Sequence, residues 1–211
     1  TVNSLVNVGG ELDAPAIAQK NGSIYIYAEG SNAVQDNVTA NKGTKTGSST
    51  VLVTGKLNVS SKHGIGGTVN VLGDAVGLST TAVIDANGKT GGGNVNIGGQ
   101  EHGAGTTPTA LTTIIEDGAF IAANAVQTGN GGNVTGWSDG STNFSGTIMA
   151  QGGAQSGNGG FVETSGHGTL TANGFVDLTA PNGLMGTWLL DPTNISIYGG
   201  VTPAFTGADR K

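Results

Sequence analysis

Apolar and polar residues alternate along this chain in short runs of the form Val-x-Val or Ile-x-Ala, a period of two that predicts half-buried β-strands. The clearest are SIYIYAEG (23–30), TVLVTGKLNVS (50–60), TLTANGFVDLTA (169–180), GTWLL (186–190) and NISIY (194–198). Four segments repeat the form G-G-x-V-x. They begin at Gly66-Gly67, Gly92-Gly93, Gly131-Gly132 and Gly159-Gly160, with spacings of 26, 39 and 28 residues. Three of them follow a second recurring strand, at Ile84-Asp85-Ala86, Ile121-Ala122-Ala123 and Ile148-Met149-Ala150. Each repeat therefore reads as strand, turn, strand and glycine-rich corner. The long interval holds EHGAGTTPTALTT (101–113), which reads as a loop inserted into one repeat.

A unit of two or three short strands cannot bury its apolar side alone, and stacking such units makes one continuous core. The pattern predicts an all-β solenoid, a parallel β-helix of about eight or nine coils and on the order of 40 Å long at ~4.8 Å per coil. Residues 1–211 are expected to form one such domain: looser coils over 1–65, regular Gly-Gly repeats over 66–168, and C-terminal coils with a tail over 169–211. Val69, Val95, Val134 and Val162 are predicted to stack inward, with Asn70, Asn96, Thr135 and Glu163 facing outward. The glycine pairs are assigned to corners that need either positive φ or close backbone approach. The recurrent Asn-Gly steps (21–22, 87–88, 130–131, 158–159, 173–174, 182–183) are assigned to the tolerance of Asn for the left-handed region. A sandwich of hairpins is the competing architecture, because Asn-Gly is also a hairpin turn.

Composition supports β structure: 40 of 211 residues are glycine and only 10% are charged. The net charge is −6 with 8 lysines and arginines, too few and too scattered to neutralise a nucleic acid backbone. No apolar run approaches the ~20 residues of a transmembrane helix. Cysteine is absent, so no disulfide or thiolate chemistry is available. TVNSLVNVGG has no basic n-region or apolar h-region. This predicts either that the chain is not exported through a signal peptide or that it is a mature or internal piece.

From residue 131 the pattern becomes more specific. Trp137-Ser138-Asp139-Gly140 with Thr142, Phe144, Gly146 and Ile148 is followed by Gly159 to Glu163 with Ser165-Gly166. Trp188-Leu189-Leu190-Asp191-Pro192 with Asn194-Ile195 comes next. This succession resembles a block of the large bacterial exoproteins of the filamentous haemagglutinin type. The match covers about the last 40% of the chain. The resemblance implies a right-handed parallel β-helix, secreted to the cell surface or medium by two-partner secretion. It implies an adhesin or stalk role and brings no catalytic residues. The secretion domains of such proteins carry Asn-Pro-Asn turns, and this chain has no Asn-Pro. It is therefore expected to lie downstream of a secretion domain, with an outer-membrane transporter as partner only when secreted together with one.

The individual residues add little chemistry. The run GNGG (157–160) lacks the lysine and the helix of a phosphate loop. His63, His102 and His167 stand far apart with no zinc spacing, which predicts solvent-facing turn histidines and no metal or other cofactor. Glu116-Asp117 is the only adjacent acidic pair, where a glycosidase needs two carboxylates facing one groove. Asp139 is read as capping backbone amides of a turn. Asp191-Pro192 is read as the end of a strand. Trp188 and Leu190 are expected to be buried, with Leu189 under the tail; the sharper alternative makes Trp188, Leu189 and Leu190 a contact patch. The expected function is a non-catalytic, extracellular structural or adhesive module. Its partner would be a host or neighbouring cell surface, a glycan or a matrix component. Two alternatives are a filament subunit that stacks end to end into a homo-oligomer and, third, a polysaccharide-active enzyme.

Overall fold

The period-two segments form eighteen short strands, three to a coil, in a computed structural model that describes residues 4–15, 22–28 and 49–193. The first coil holds β1 (Ser4–Val8), β2 (Glu11–Asp13) and β3 (Ser23–Tyr27). The second holds β4 (Ser49–Val53), β5 (Lys56–Asn58) and β6 (Thr68–Leu72), and the third β7 (Ala75–Leu78), β8 (Val83–Asp85) and β9 (Asn94–Ile97). The fourth follows with β10 (Thr112–Ile115), β11 (Phe120–Ala122) and β12 (Asn133–Ser138). The fifth holds β13 (Ser141–Phe144), β14 (Thr147–Met149) and β15 (Phe161–Gly166), and the sixth β16 (Thr169–Ala172), β17 (Phe175–Asp177) and β18 (Thr187–Leu189). Equivalent strands of successive coils pair into three sheets of six strands. Sheet 1 begins at β1, sheet 2 at β2 and sheet 3 at β3.

Each of these strand pairings is parallel, which makes the chain a parallel β-helix and excludes the hairpin sandwich. Six coils are described rather than eight or nine. The difference has a simple cause. Every coil needs three strands and three corners, and one coil also carries the excursion between Ile97 and Thr112. The NISIY segment lies outside the described residues.

The core is built of side-chain columns set by strand register. Ile24, Val69, Val95, Val134, Val162 and Trp188 follow one another along sheet 3. Leu57, Ile84, Ile121 and Ile148 do so along sheet 2, all fully buried. Sheet 1 changes character part-way: Val51 and Val76 give way to Thr113 and Thr142 in the same column. These threonines are buried because their hydroxyls donate to the carbonyls of Trp137 (2.6 Å) and Ser165 (2.7 Å), bridging sheet 1 to sheet 3.

The Gly-Gly corners join sheet 2 to sheet 3. The second glycine of each pair closes its own corner, with Gly67, Gly93, Gly132 and Gly160 N–H donating to Val59, Ala86, Ala123 and Ala150 carbonyls at 2.7–2.8 Å. Its carbonyl then accepts the first strand amide of the next coil; Gly93 accepts from Asn133 and Gly132 from Phe161, each at 3.0 Å. A Cβ on Gly132 would collide with the Gly93 carbonyl oxygen, and one on Gly92 with that of Ala123. None of the eight paired glycines has positive φ, so close backbone approach is the requirement. Gly22 and Gly186 hold the same place before β3 and β18.

The asparagines need a similar correction. Among the described residues the only non-glycine with positive φ is His102, so the Asn-Gly steps from 87–88 onward do not use the left-handed region. Their side chains bind the coils together instead. Asn87 Oδ1 accepts the Asn124 amide and Asn124 Oδ1 that of Gln151, both at 2.7 Å. Asn130 and Asn158 repeat the device toward Asn158 and Leu184, at 2.8 and 2.9 Å.

Two outcomes follow from these corners. Gly132→Ala should lower stability by about 3 kcal/mol, because backbone and not a pliable side chain blocks the new methyl. Gly10→Ala, where no atom lies within 4 Å of the added Cβ, should stay within about 1 kcal/mol of the parent in urea melts. The second concerns Asp177, whose carboxyl is held below its ordinary range chiefly by the Thr179 amide, then by the Thr179 hydroxyl and the Gln151 side chain. That contribution is complete above the unfolded-state pKa and disappears as pH falls through the lower folded value. Thermal melts from about pH 5 to about pH 2 should therefore show a smaller loss of Tm in Asp177→Asn than in the parent.

Candidate functional site

On the outer face of sheet 3, alternation places Thr68, Asn94, Asn133 and Phe161 in one column and Asn70, Asn96, Thr135 and Glu163 in another. Cross-coil amide bonds tie Asn96 to Asn70 at 2.9 Å and Asn133 to Asn94 at 3.0 Å. The excursion between β9 and β10, residues 98–111, folds over one end of this face. It ends before Thr112 and Thr113, which belong to β10 and its core column. With Gln100, Glu101 and His102 as one wall, the two columns apart from Glu163 line an open polar groove of about 760 Å³.

The excursion is fastened by residues of the Trp-Ser-Asp-Gly motif. Trp137 points outward from β12, yet it is only 8% exposed because the loop lies on it. Gly99 and Gly103 pass so close to its indole that a Cβ at either would clash, and Gly103 has φ +61° besides. Asp139 accepts the Thr109 hydroxyl at 2.6 Å and the Trp137 indole N–H at 3.4 Å, so its carboxylate anchors the loop as well as sitting in the turn.

Under the same loop lies Glu163, the last polar residue of its outward column. It faces out from the sheet as its register requires, but it is 0% exposed. One carboxylate oxygen accepts the His102 backbone N–H at 3.0 Å, while Oε1 is buried with no hydrogen-bond partner. His102 Nδ1 stands 3.7 Å from Glu163 Oε1 and 3.5 Å from Asp191 Oδ2, and its Nε2 is 3.7 Å from Glu101 Oε1. His102 holds a left-handed backbone (φ 55°), a strained state for a residue with a Cβ. His63 and His167 are exposed and take no part in the cluster.

Trp188 continues the inward column on the last described rung. Its indole meets Phe144 edge-on (centroids 6.1 Å apart) and donates to Thr164 Oγ1 at 3.0 Å. It is nevertheless 36% exposed, because no described coil stacks on it, while Leu189 and Leu190 are half-buried. Trp188, expected to be buried, is thus partly open on the last described rung. Phe175 and Met185 are exposed beside it. Pro192 follows β18, and the Asp191 amide binds Ser165 Oγ at 3.1 Å. Glu116 and Asp117 lie in the turn from sheet 1 to sheet 2, where Glu116 accepts the Thr80 amide at 3.1 Å. The groove therefore receives no pair of open carboxylates from them.

No family model and no curated protein matches the chain. Among solved structures it resembles the crystal structure of the HMW1 secretion domain from Haemophilus influenzae, with TM-score 0.65 and 30% identity over 89% of this chain and 46% of that one. The chain thus spans a little under half of that domain's length. At the level of fold, this agrees with the resemblance carried by the C-terminal motifs.

The anchoring of the loop has a measurable consequence. Asp139→Asn should weaken the bond from Thr109, a charge-assisted contact worth about 1–3 kcal/mol. Hydrogen exchange of amides over 100–110 should accelerate accordingly, while the core columns of sheet 2 keep their protection.

Proposed function

We propose that the chain is a non-catalytic, extracellular β-helical module of a large secreted bacterial surface protein, structural or adhesive in role. The likeness to a secretion domain over 89% of the chain carries this reading, and the haemagglutinin-type motifs support it. The geometry suits such a part. Three parallel sheets wrapped about one core make a stiff segment. Its polar groove, with Asn70, Asn96 and Phe161 on a fixed sheet, offers a surface for contact with a cell, glycan or matrix component. Under this reading the chain lies downstream of the secretion domain, with sheet 3 as the contact face. The exposed apolar rung at Phe175 and Trp188 also supports end-to-end stacking.

The solved neighbour is itself a secretion domain, and this favours a second reading in which the present segment takes part in export. Deleting residues 49–193 from a precursor and measuring its release separates the two. Lost release favours export; intact release with lost cell binding favours adhesion. For the purified chain, saturable binding to host cells or immobilised matrix is expected. Replacing both Asn96 and Phe161 with Ala should weaken it about tenfold. No binding to cells, glycans or matrix would remove the adhesive half of the proposal.

A further inference from the structure

The cluster at His102 gathers acidic groups with little positive charge to offset them. Glu101, Glu163 and Asp191 place three carboxylates within 3.7 Å of one imidazole, and none of them forms an ion pair with a lysine or arginine among the described residues. A buried carboxylate oxygen without a partner is costly, and Glu163 Oε1 is one. We propose that Glu163, His102 and Asp191 form a binding site for a divalent metal ion of the zinc class, pinning the 98–111 loop and the end of sheet 3 together.

Three observations carry this. The donor separations from His102 Nδ1, 3.7 Å to Glu163 and 3.5 Å to Asp191, approach the ~3.3–3.6 Å between ligands that each lie ~2.0–2.2 Å from a tetrahedral ion. An ion there would give Oε1 the partner it lacks. The other ring nitrogen already faces Glu101, the arrangement in which a carboxylate orients a metal-bound histidine. As they stand, no three such side chains among the described residues are placed to hold a metal ion, so the site needs movement to form. Glu163, however, is fixed, whereas His102 and Asp191 are 51% and 57% exposed and have room to swing the remaining few tenths of an ångström. One nitrogen and two carboxylates select zinc over calcium or magnesium, which prefer oxygen shells. The donors come from three distant segments, so no sequence spacing announces them.

The proposal is tested on the purified chain, stripped with EDTA and titrated with ZnCl2, CaCl2 or MgCl2 near pH 7.5. One zinc per chain should bind by calorimetry, Tm should rise by about 5 °C at a hundredfold excess over Kd, and the 100–110 amides should gain protection. Calcium and magnesium should do none of this. Glu163→Gln, Asp191→Asn and His102→Asn (a residue that tolerates the left-handed backbone) should each weaken zinc binding at least tenfold. His63→Ala with His167→Ala should leave it intact. Glu163→Gln should also be at least as stable as the metal-free parent, since it removes the buried charge. No zinc binding below 1 mM (roughly −4 kcal/mol), or binding that survives all three substitutions, would overturn the site. Tightening of the loop on acidification, lost in His102→Asn and with no response to zinc, would assign the cluster to a bridging proton instead.

Discussion

The separation between coils, about 4.8 Å, governs everything else in this molecule. At the corner from sheet 2 to sheet 3 one glycine must donate inward to its own coil and accept from the next, as Gly93 does toward Ala86 and Asn133. Any side chain there would lie where the neighbouring coil's carbonyl already sits. Because the constraint recurs in every coil, it keeps the strands in register. Register in turn lines up Val69, Val95, Val134 and Val162 as one apolar column. The asparagine side chains that bond from coil to coil serve the same spacing on the neighbouring turn.

Part-way along sheet 1, hydroxyls take over from methyl groups. Thr113 and Thr142 occupy a column begun by Val51 and Val76, and each binds a backbone carbonyl of sheet 3. The exchange coincides with the coils over which the excursion folds. There β12 and β15 are covered on both faces beyond their first residues, and residues that alternation aims at solvent, Trp137 and Glu163, are sealed. One coil's insertion thus turns part of an outer wall into interior. It gathers Trp137, Asp139, Glu163 and Asp191 from separate motifs around a single loop.

Asparagine side chains on the outer face of sheet 3 are bonded to one another across coils, which holds that face in one arrangement. The excursion supplies the only wall described for that groove, and the strained backbone of His102 marks where the loop is pulled against Glu163.

Fold class was legible in the sequence because a β-helix is a local rule repeated. The two-residue alternation, the Gly pairs and the inserted loop each follow from a few neighbouring residues. The number of coils was not legible, since strand alternation does not say how many strands close one turn. The reason for each glycine escaped too: positive φ and close approach leave the same letter in the sequence. Only the tertiary structure separates Gly103, which needs both, from Gly93, which needs space alone. Asn87 and Asn158 read as turn residues, and their side-chain oxygens accept hydrogen bonds from a coil away. The site at His102 depends wholly on distance in space. Its members are about sixty and thirty residues apart in the chain, and the burial of Glu163 comes from a loop that the sequence could place but not fold. Sequence determined which residues face in and which face out. Tertiary structure decided which outward residues would ever meet water, because that depends on what folds back over them.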